Sequence, residues 1–375
     1  MQHLKKYGLI WPIFRMNLFF PHSSLDVKNR AVMAPMTRVG CDENGSPGQE
    51  LGDYYVRRAQ NNVGLIIIES CAVNSTDAMG YKFGAQFHND DHLEKWKSIV
   101  ERVHEAGAKI WIQLFHAGRL TVPEITGGKV LSASSIKPYS HPSYWRPMVN
   151  DEIVHFQTKT PYTVPAEMTA DEIEKVINDF GNSVALADSA GFDGVEIHGA
   201  HGYLVHGFMS KLSNVRTDEF GLDKGNKFLR ELITITRKNL KRDKILSFRC
   251  SVHMVDNPMI RYSEENTDFK SIVKMLDELG VDVFHSSEID SKNKTFGLKN
   301  SLHEYIRQNT NKPIIVCGGI KTLAAANRLL EIDNNSLVAF GRNFISNPDL
   351  INLFNLDKES EIIPFNYEAH FEKIY

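Results

Sequence analysis

Eight short apolar runs rich in β-branched residues, each separated from the next by a longer stretch, constrain this chain more than any other feature. They fall at residues 30–33, 64–68, 110–114, 194–197, 245–248, 281–284, 314–316 and 337–340. Several are nearly continuous apolar runs without polar alternation, as expected for strands covered on both faces. The intervening stretches carry helical periodicity. In "MTADEIEKVINDFGNSVALADSAG", Thr169 and Glu172 form a capping box. Ile173, Val176, Ile177, Phe180 and Val184 follow as one stripe, and Gly191 supplies a stop. Residues 91–106 and 267–279 behave similarly. Eight strands alternating with helices, and no early G-x-G-x-x-G turn, predict an α/β chain folded as a (β/α)8 barrel rather than a Rossmann sheet.

The chain has 375 residues, 42% hydrophobic and 24% charged, enough apolar material for one large core. We therefore expect a single domain over 1–375. Residues 120–167, rich in Pro, Ser and Tyr, are read as an excursion from the third βα loop over the barrel mouth, and 355–375 as a C-terminal tail. A net charge of −3 with no long Lys/Arg run gives no support to a nucleic-acid surface. No run approaches 18 uninterrupted apolar residues, so no membrane span is expected. Cys41, Cys71, Cys250 and Cys317 form no C-x-x-C pair. That leaves a disulfide scaffold, a zinc ribbon and an iron–sulfur cluster without ligands and suits a reduced, cytoplasmic setting. Near the N-terminus, Lys5-Lys6 precede apolar "GLIWPIF". Pro12 and Arg15 interrupt that region and no small-residue cleavage pattern follows, so it is not read as a signal peptide.

In a (β/α)8 barrel the active site lies at the C-terminal ends of the strands. Polar residues falling there are Thr37, Ser70, Gln113 with His116, His198, Arg249 and His285-Ser286. "IIVCGGI" and "LVAFGRN" add Gly318-Gly319 and Gly341-Arg342 just after strands seven and eight, where barrels commonly hold phosphate on backbone N–H groups. Arg342 would add a charge-assisted fork. The richest stretch is "HGAHGYLVHGF", residues 198–208. Zinc could use His198, His201 and His206, but this spacing in a glycine-rich turn is not that of helical zinc pairs, and no acidic residue follows at a suitable offset. The competing reading has His198 and His201 pointing two N–H groups at one acceptor oxygen, with Tyr203 close by as proton donor. Arg249 would stabilise an electron-rich ring whose carbonyls Gln113 and Thr37 could reach. A ring carrying a phosphate tail, several carbonyls and a delocalised anion is reduced flavin, in its short form FMN.

On these residues the chain resembles the Old Yellow Enzyme family of FMN-dependent ene-reductases. The likeness runs through "KNRAVMAPMTR", "GLIIIESCAVN", "IQLFHAGR", "AGFDGVEIHGAHGYLVHGFMSKLSNVRTDEFG", "FRCS", "CGGI" and "FGRNFISNPDL". The resemblance implies that Ala34, Pro35, Met36 and Thr37 lie under and beside the flavin ring. Ser70 matches the small residue after strand two, and Gln113 the contact to the pyrimidine. It further implies His198 and His201 as the substrate-carbonyl pair, Tyr203 as the proton donor and Arg249 as the flavin cation. Gly318, Gly319, Gly341 and Arg342 correspond to the phosphate site.

The implied activity takes hydride from NADH or NADPH and reduces activated C=C bonds of small α,β-unsaturated carbonyl or nitro compounds, with no metal. A homo-oligomer is compatible with it. The chain departs from the family where "EYGGS…ENR" is usual: it has Phe220-Gly221-Leu222-Asp223 and a shortened stretch to Phe228. Ser70 is often alanine in relatives, and Thr37 stands where one branch has cysteine. The alternative reading is a flavin-free barrel, a lyase, isomerase or ligand sensor for a phosphorylated metabolite.

Overall fold

A computed structural model describes residues 27–138, 148–149, 152–153, 155, 157–256, 268–295 and 300–366. The segment considered for a signal peptide lies outside these residues, as do part of the excursion and the end of the C-terminal tail. The expected strands form a closed, all-parallel barrel: β1 (Ala31–Met33), β2 (Leu65–Ala72), β3 (Lys109–Phe115), β4 (Gly194–His201), β5 (Ile245–Met254), β6 (Val283–Ser287), β7 (Ile314–Cys317) and β8 (Ser336–Phe340). β8 closes onto β1 through the register Ala31–Val338, Val32–Ala339 and Met33–Phe340.

Covering helices follow the strands: α1 (Gln49–Gln60), α2 (Asp90–Glu105), α3 (Ala170–Ser189), α4 (Lys227–Asn239), α5 (Phe269–Glu278), α6 (Leu302–Arg307), α7 (Leu323–Ile332) and α8 (Arg342–Ser346). α3 begins at the predicted capping box: Thr169 Oγ1 accepts from the Glu172 N–H, and the Glu172 carboxylate accepts from the Thr169 N–H. Its predicted stripe is buried throughout. Among the described residues no helix is long and apolar enough to cross a membrane.

Side-chain alternation gives the barrel two separate cores. Outward-facing strand residues such as Ile66, Ile112 and Val195 pack against the helices. Inward-facing Val32, Leu65, Ile67, Trp111, Ile245, Val283, Ile315 and Leu337 fill the interior as a plug. Nearer the C-terminal ends the same inward positions turn polar. A bulge in β2 helps: Ile67 pairs with Trp111 and Ser70 with Gln113, three steps along β2 against two along β3. The extra residue flips the alternation and brings Ser70 to the inner face beside Gln113.

Residues 120–167 form a short helix (Pro123–Thr126), a parallel pairing of Leu131–Ser132 with Ala166–Glu167, and a Met148–Val149 pairing with Glu152–Ile153. They clamp the loop after β2. His155 Nε2 meets the Gly80 carbonyl at 2.8 Å, and Gln157 exchanges two hydrogen bonds with the Lys82 backbone. The shortened stretch after Gly221 is a 3-10 turn, Leu222–Lys224, followed by Gly225 and Asn226 in left-handed conformation and then directly by α4.

Candidate active site

Strand register assembles the site. Gln113 stands opposite Glu196, and His198 opposite Arg249, which is in turn opposite His285. On β4, Glu196 and His198 are two residues apart and therefore share the inner face. Gln113 Nε2 donates to Glu196 Oε1 (2.7 Å), and Ser70 Oγ donates to Gln113 Oε1 (2.5 Å). Glu196 Oε2 accepts from Ser247 Oγ (2.9 Å) and meets His285 Nδ1 at 2.9 Å. A carboxylate only accepts, so it fixes the amide orientation of Gln113 and leaves its second N–H available. Burial pushes Glu196 upward, but His285, Arg249 and Ser247 outweigh it and hold the carboxyl below its ordinary value. For His285 burial opposes the charge, and Glu196 outweighs it and raises the imidazole. The two groups face each other at 2.9 Å, both wholly buried.

Arg249 Nη2 donates to Ser287 Oγ at 2.9 Å, and Nη1 lies 3.5 Å from the Pro35 carbonyl. Its Nε is buried without a hydrogen-bond partner. The Ala200 N–H donates to His198 Nδ1 (3.2 Å), which places the His198 ring proton on Nε2. β4 continues past the expected end at His198, through a register break, to His201, whose φ is 65°. The Ser251 hydroxyl accepts from the His201 N–H (2.8 Å) and so holds this turn. His201 Nε2 meets Ser287 Oγ at 3.1 Å. That hydroxyl also accepts from Arg249, and its own proton directed at Nε2 would leave the His201 N–H on Nδ1. Burial first, then the Arg249 charge, hold both imidazoles well below the ordinary histidine range. They are neutral donors.

The two rings lie 5.2 Å apart, and the Tyr203 ring is 4.9 Å from that of His198. Tyr203 packs edge-on against Phe115 at 5.3 Å, and its hydroxyl meets that of Tyr81 at 2.5 Å. His206 is drawn off the site: its Nδ1 accepts from the Gly202 N–H at 2.7 Å. His116 lies behind, with Nε2 3.4 Å from Asp77 and its carbonyl accepting from the Leu204 N–H.

Ala34 continues β1 by donating from its N–H to the Phe340 carbonyl, and Met36 leans over Gly341, where an added Cβ would lie 3.2 Å from its sulfur. Thr37 is half-buried, and its hydroxyl makes no hydrogen bond among the described residues. Gly318 has φ 138°, and a Cβ there would sit 2.5 Å from the Glu288 carbonyl oxygen, so this turn admits only glycine. Gly319 follows in left-handed conformation. Arg342 begins α8 but is exposed, with its guanidinium 6.0 Å over the Phe365 ring.

The predicted residues thus divide into a side-chain group on β1–β5 and a backbone group after β7 and β8. Ser70 lies inside β2 rather than after it, and reaches the site through the bulge. Sequence reasoning missed Glu196, although a carboxylate inside the buried run "GVEIHG" was a usable signal. It also missed Tyr81 and Ser287, which only tertiary contact reveals. As a test of fit to a flavin, the orphaned Arg249 Nε, the spare Gln113 N–H, the free Thr37 hydroxyl and two neutral imidazole donors suit a ring rich in acceptors and able to carry negative charge.

Comparison with known proteins agrees. The NADH:flavin oxidoreductase / NADH oxidase family matches residues 18–360. NADH oxidase of Thermoanaerobacter brockii is 33% identical over 87% of this chain, which spans about half (48%) of that longer protein. The Old Yellow Enzyme homologue of Zymomonas mobilis superposes with a TM-score of 0.80 at 26% identity, covering 96% of both chains. Morphinone reductase in complex with tetrahydroNAD does so with 0.80 at 27%, covering 96% of this chain and 93% of that one. The chain belongs to the FMN-dependent NADH:flavin oxidoreductase / NADH oxidase family, that of the Old Yellow Enzymes.

Proposed function

We propose that this protein, reduced by NADH or NADPH, reduces the activated C=C bond of α,β-unsaturated carbonyl or nitro compounds. The observation that carries the reading is the convergence of His198 and His201, both neutral, 5.2 Å apart, beside the Tyr203 hydroxyl. FMN, when bound, supplies hydride transfer between nicotinamide and substrate. The chain's residues supply the rest. His198 and His201 donate to the substrate oxygen and stabilise the negative charge that grows there. Tyr203 holds a proton on its hydroxyl for the α-carbon, and Tyr81 fixes that hydroxyl in place. Gln113, Thr37 and the stretch Ala34-Pro35-Met36 line the ring, with Ser70 positioning Gln113. Arg249 faces the ring with its charge. Gly318, Gly319, Gly341 and Arg342 hold the phosphate. Residues 1–375 act as one unit, in which the excursion at 120–167 holds the loop that bears Tyr81.

The test starts with anaerobic reduction of the purified yellow protein by NADH or NADPH. An α,β-unsaturated cyclic ketone should then reoxidise the flavin and appear as the saturated ketone. A colourless protein that takes up no FMN on reconstitution would return the reading to a flavin-free barrel. A flavin that is reduced but not reoxidised by enones or nitroalkenes would overturn the substrate class alone.

A further inference from the structure

We infer that Arg58 of α1 is a positioning residue for FMN: its buried guanidinium anchors the backbone turn at Gly341 and so sets the grip on the phosphate. The inference rests on the reading that the turns after β7 and β8 hold that phosphate. α8, which follows Gly341, spans only five residues, Arg342–Ser346, too few to sustain a helix unaided. Its first turn closes on Gly341, whose carbonyl accepts from the Phe344 N–H (3.0 Å) and the Ile345 N–H (3.3 Å). The carbonyls at the far end of a helix find no donor within it. Asn347 serves one of them: its N–H and its Nδ2 each donate to the Asn343 carbonyl at 2.9 Å. Arg58 serves the next two. Its Nε and Nη2 donate to the Phe344 carbonyl at 3.0 and 2.8 Å, and Nη2 also donates to the Ile345 carbonyl at 3.1 Å. The two residues that Arg58 holds by their carbonyls are thus the two whose N–H groups hold Gly341.

Arg58 is itself fixed in place. Nη1 donates to the Tyr54 carbonyl at 2.8 Å, and the guanidinium lies 3.5 Å over the Tyr54 ring. Both residues are fully buried. A guanidinium presents its donors in a rigid planar fork, which lets one side chain span two successive carbonyls and a third on its other edge; a lysine ammonium is a single point charge. Burial lowers the Arg58 value to about 10, which leaves the group charged at neutral pH, and charged donors make the stronger hydrogen bonds. Arg342, by contrast, is exposed. The influence of Arg58 on the phosphate runs through the backbone of residues 341–345.

The test measures binding and needs no turnover. Apoprotein is titrated with FMN and with riboflavin, which keeps the ring and the ribityl chain and lacks the phosphate. Arg58→Met keeps an unbranched stem and removes every donor; Arg58→Lys keeps the charge and loses the fork. FMN affinity should fall at least about tenfold in Arg58→Met, as for loss of one hydrogen bond from a charged donor, while riboflavin affinity stays within about threefold. Arg58→Lys should lie between the wild type and Arg58→Met. An arginine that merely held the barrel together would weaken both ligands alike, so equal losses, or an unchanged FMN affinity, would overturn the assignment. Wild-type apoprotein that binds riboflavin as tightly as FMN would instead remove the phosphate reading, and this inference with it. Since both variants strip donors from buried carbonyls and could fail to fold, the wild type carries a second measurement, hydrogen exchange in apoprotein. The Phe344 and Ile345 amides should exchange at least about a hundredfold more slowly than unstructured chain before any FMN is added. Exchange at the unstructured rate until FMN binds would show that the cofactor, and not Arg58, builds the turn.

Discussion

The two halves of the barrel mouth are built on different principles. Over β3–β5 the working atoms belong to side chains: Gln113 held by Glu196 and Ser70, His198 set by the Ala200 N–H, His201 by Ser251 and Ser287, Tyr203 by Tyr81. After β7 and β8 the corresponding features belong to the backbone, in Gly318, Gly319 and Gly341, and Arg342 is exposed. The side-chain half should fail when single atoms are removed. The backbone half should tolerate loss of a side chain and fail when one is added.

The largest effect is expected from removing one oxygen in the side-chain half. Tyr203→Phe keeps the ring in its edge contact with Phe115 and removes the hydroxyl that meets Tyr81. General-acid catalysis contributes roughly 10²–10⁴-fold, and enone reduction should fall by that much. Reduction of the flavin by NADH or NADPH needs no proton from this residue and should stay within a few-fold. Stopped-flow kinetics of the two half-reactions decide the matter. Equal loss in both would make Tyr203 structural or a coenzyme contact; loss in neither would move the proton source elsewhere.

The next effect pits two substitutions in the backbone half against each other. Gly318→Ala puts a methyl group 2.5 Å from the Glu288 carbonyl at a φ that L-residues rarely adopt. Such strain costs on the order of 1–3 kcal/mol and must displace the turn, so FMN affinity should fall about tenfold or more. Arg342→Ala removes an exposed charge whose contribution solvent screens, roughly 1 kcal/mol or less. Titration of apoprotein with FMN should therefore order the two variants with glycine first. The reverse order would mean that the arginine, not the backbone, holds the phosphate.

The barrel was legible because its cause is local: continuous apolar runs and a capped amphipathic helix announce buried parallel strands and their covers. Much of the site was legible for the same reason, since Gln113, His198 and Arg249 fall at or just after the ends of the apolar runs, although β4 and β5 continue beyond the expected ends at His198 and Arg249 to His201 and Met254. What escaped the sequence is what depends on register and on distant contact. Ser70 faces inward only because β2 bulges against β3. Tyr81 meets Tyr203 across 122 residues of chain, from a loop held by His155 and Gln157 of the excursion. Arg342 has a plain motif position, yet its exposure and its placement over Phe365 follow from how the chain after α8 returns. Periodicity contains none of these.

The smallest effect concerns pH, where the two halves should part again. His198 and His201 have ordinary values near 6.5, and burial and Arg249 hold both well below it in the fold. A group depressed in this way favours the folded state above its unfolded value. That contribution is lost as the pH falls toward the folded value. Between pH 6 and 8 both imidazoles stay neutral, so their N–H donors do not change. The rate of enone reduction by pre-reduced enzyme should show no inflection near 6.5. The phosphate half answers to its ligand instead: a phosphate monoester takes up its second proton near pH ~6 and then carries less charge for the backbone donors to hold. FMN affinity should therefore weaken modestly below about pH 6 while the single-turnover rate stays flat. An inflection near 6.5 in that rate would show that one histidine of the pair is charged in the working enzyme, and the neutral-donor reading of the side-chain half would fall.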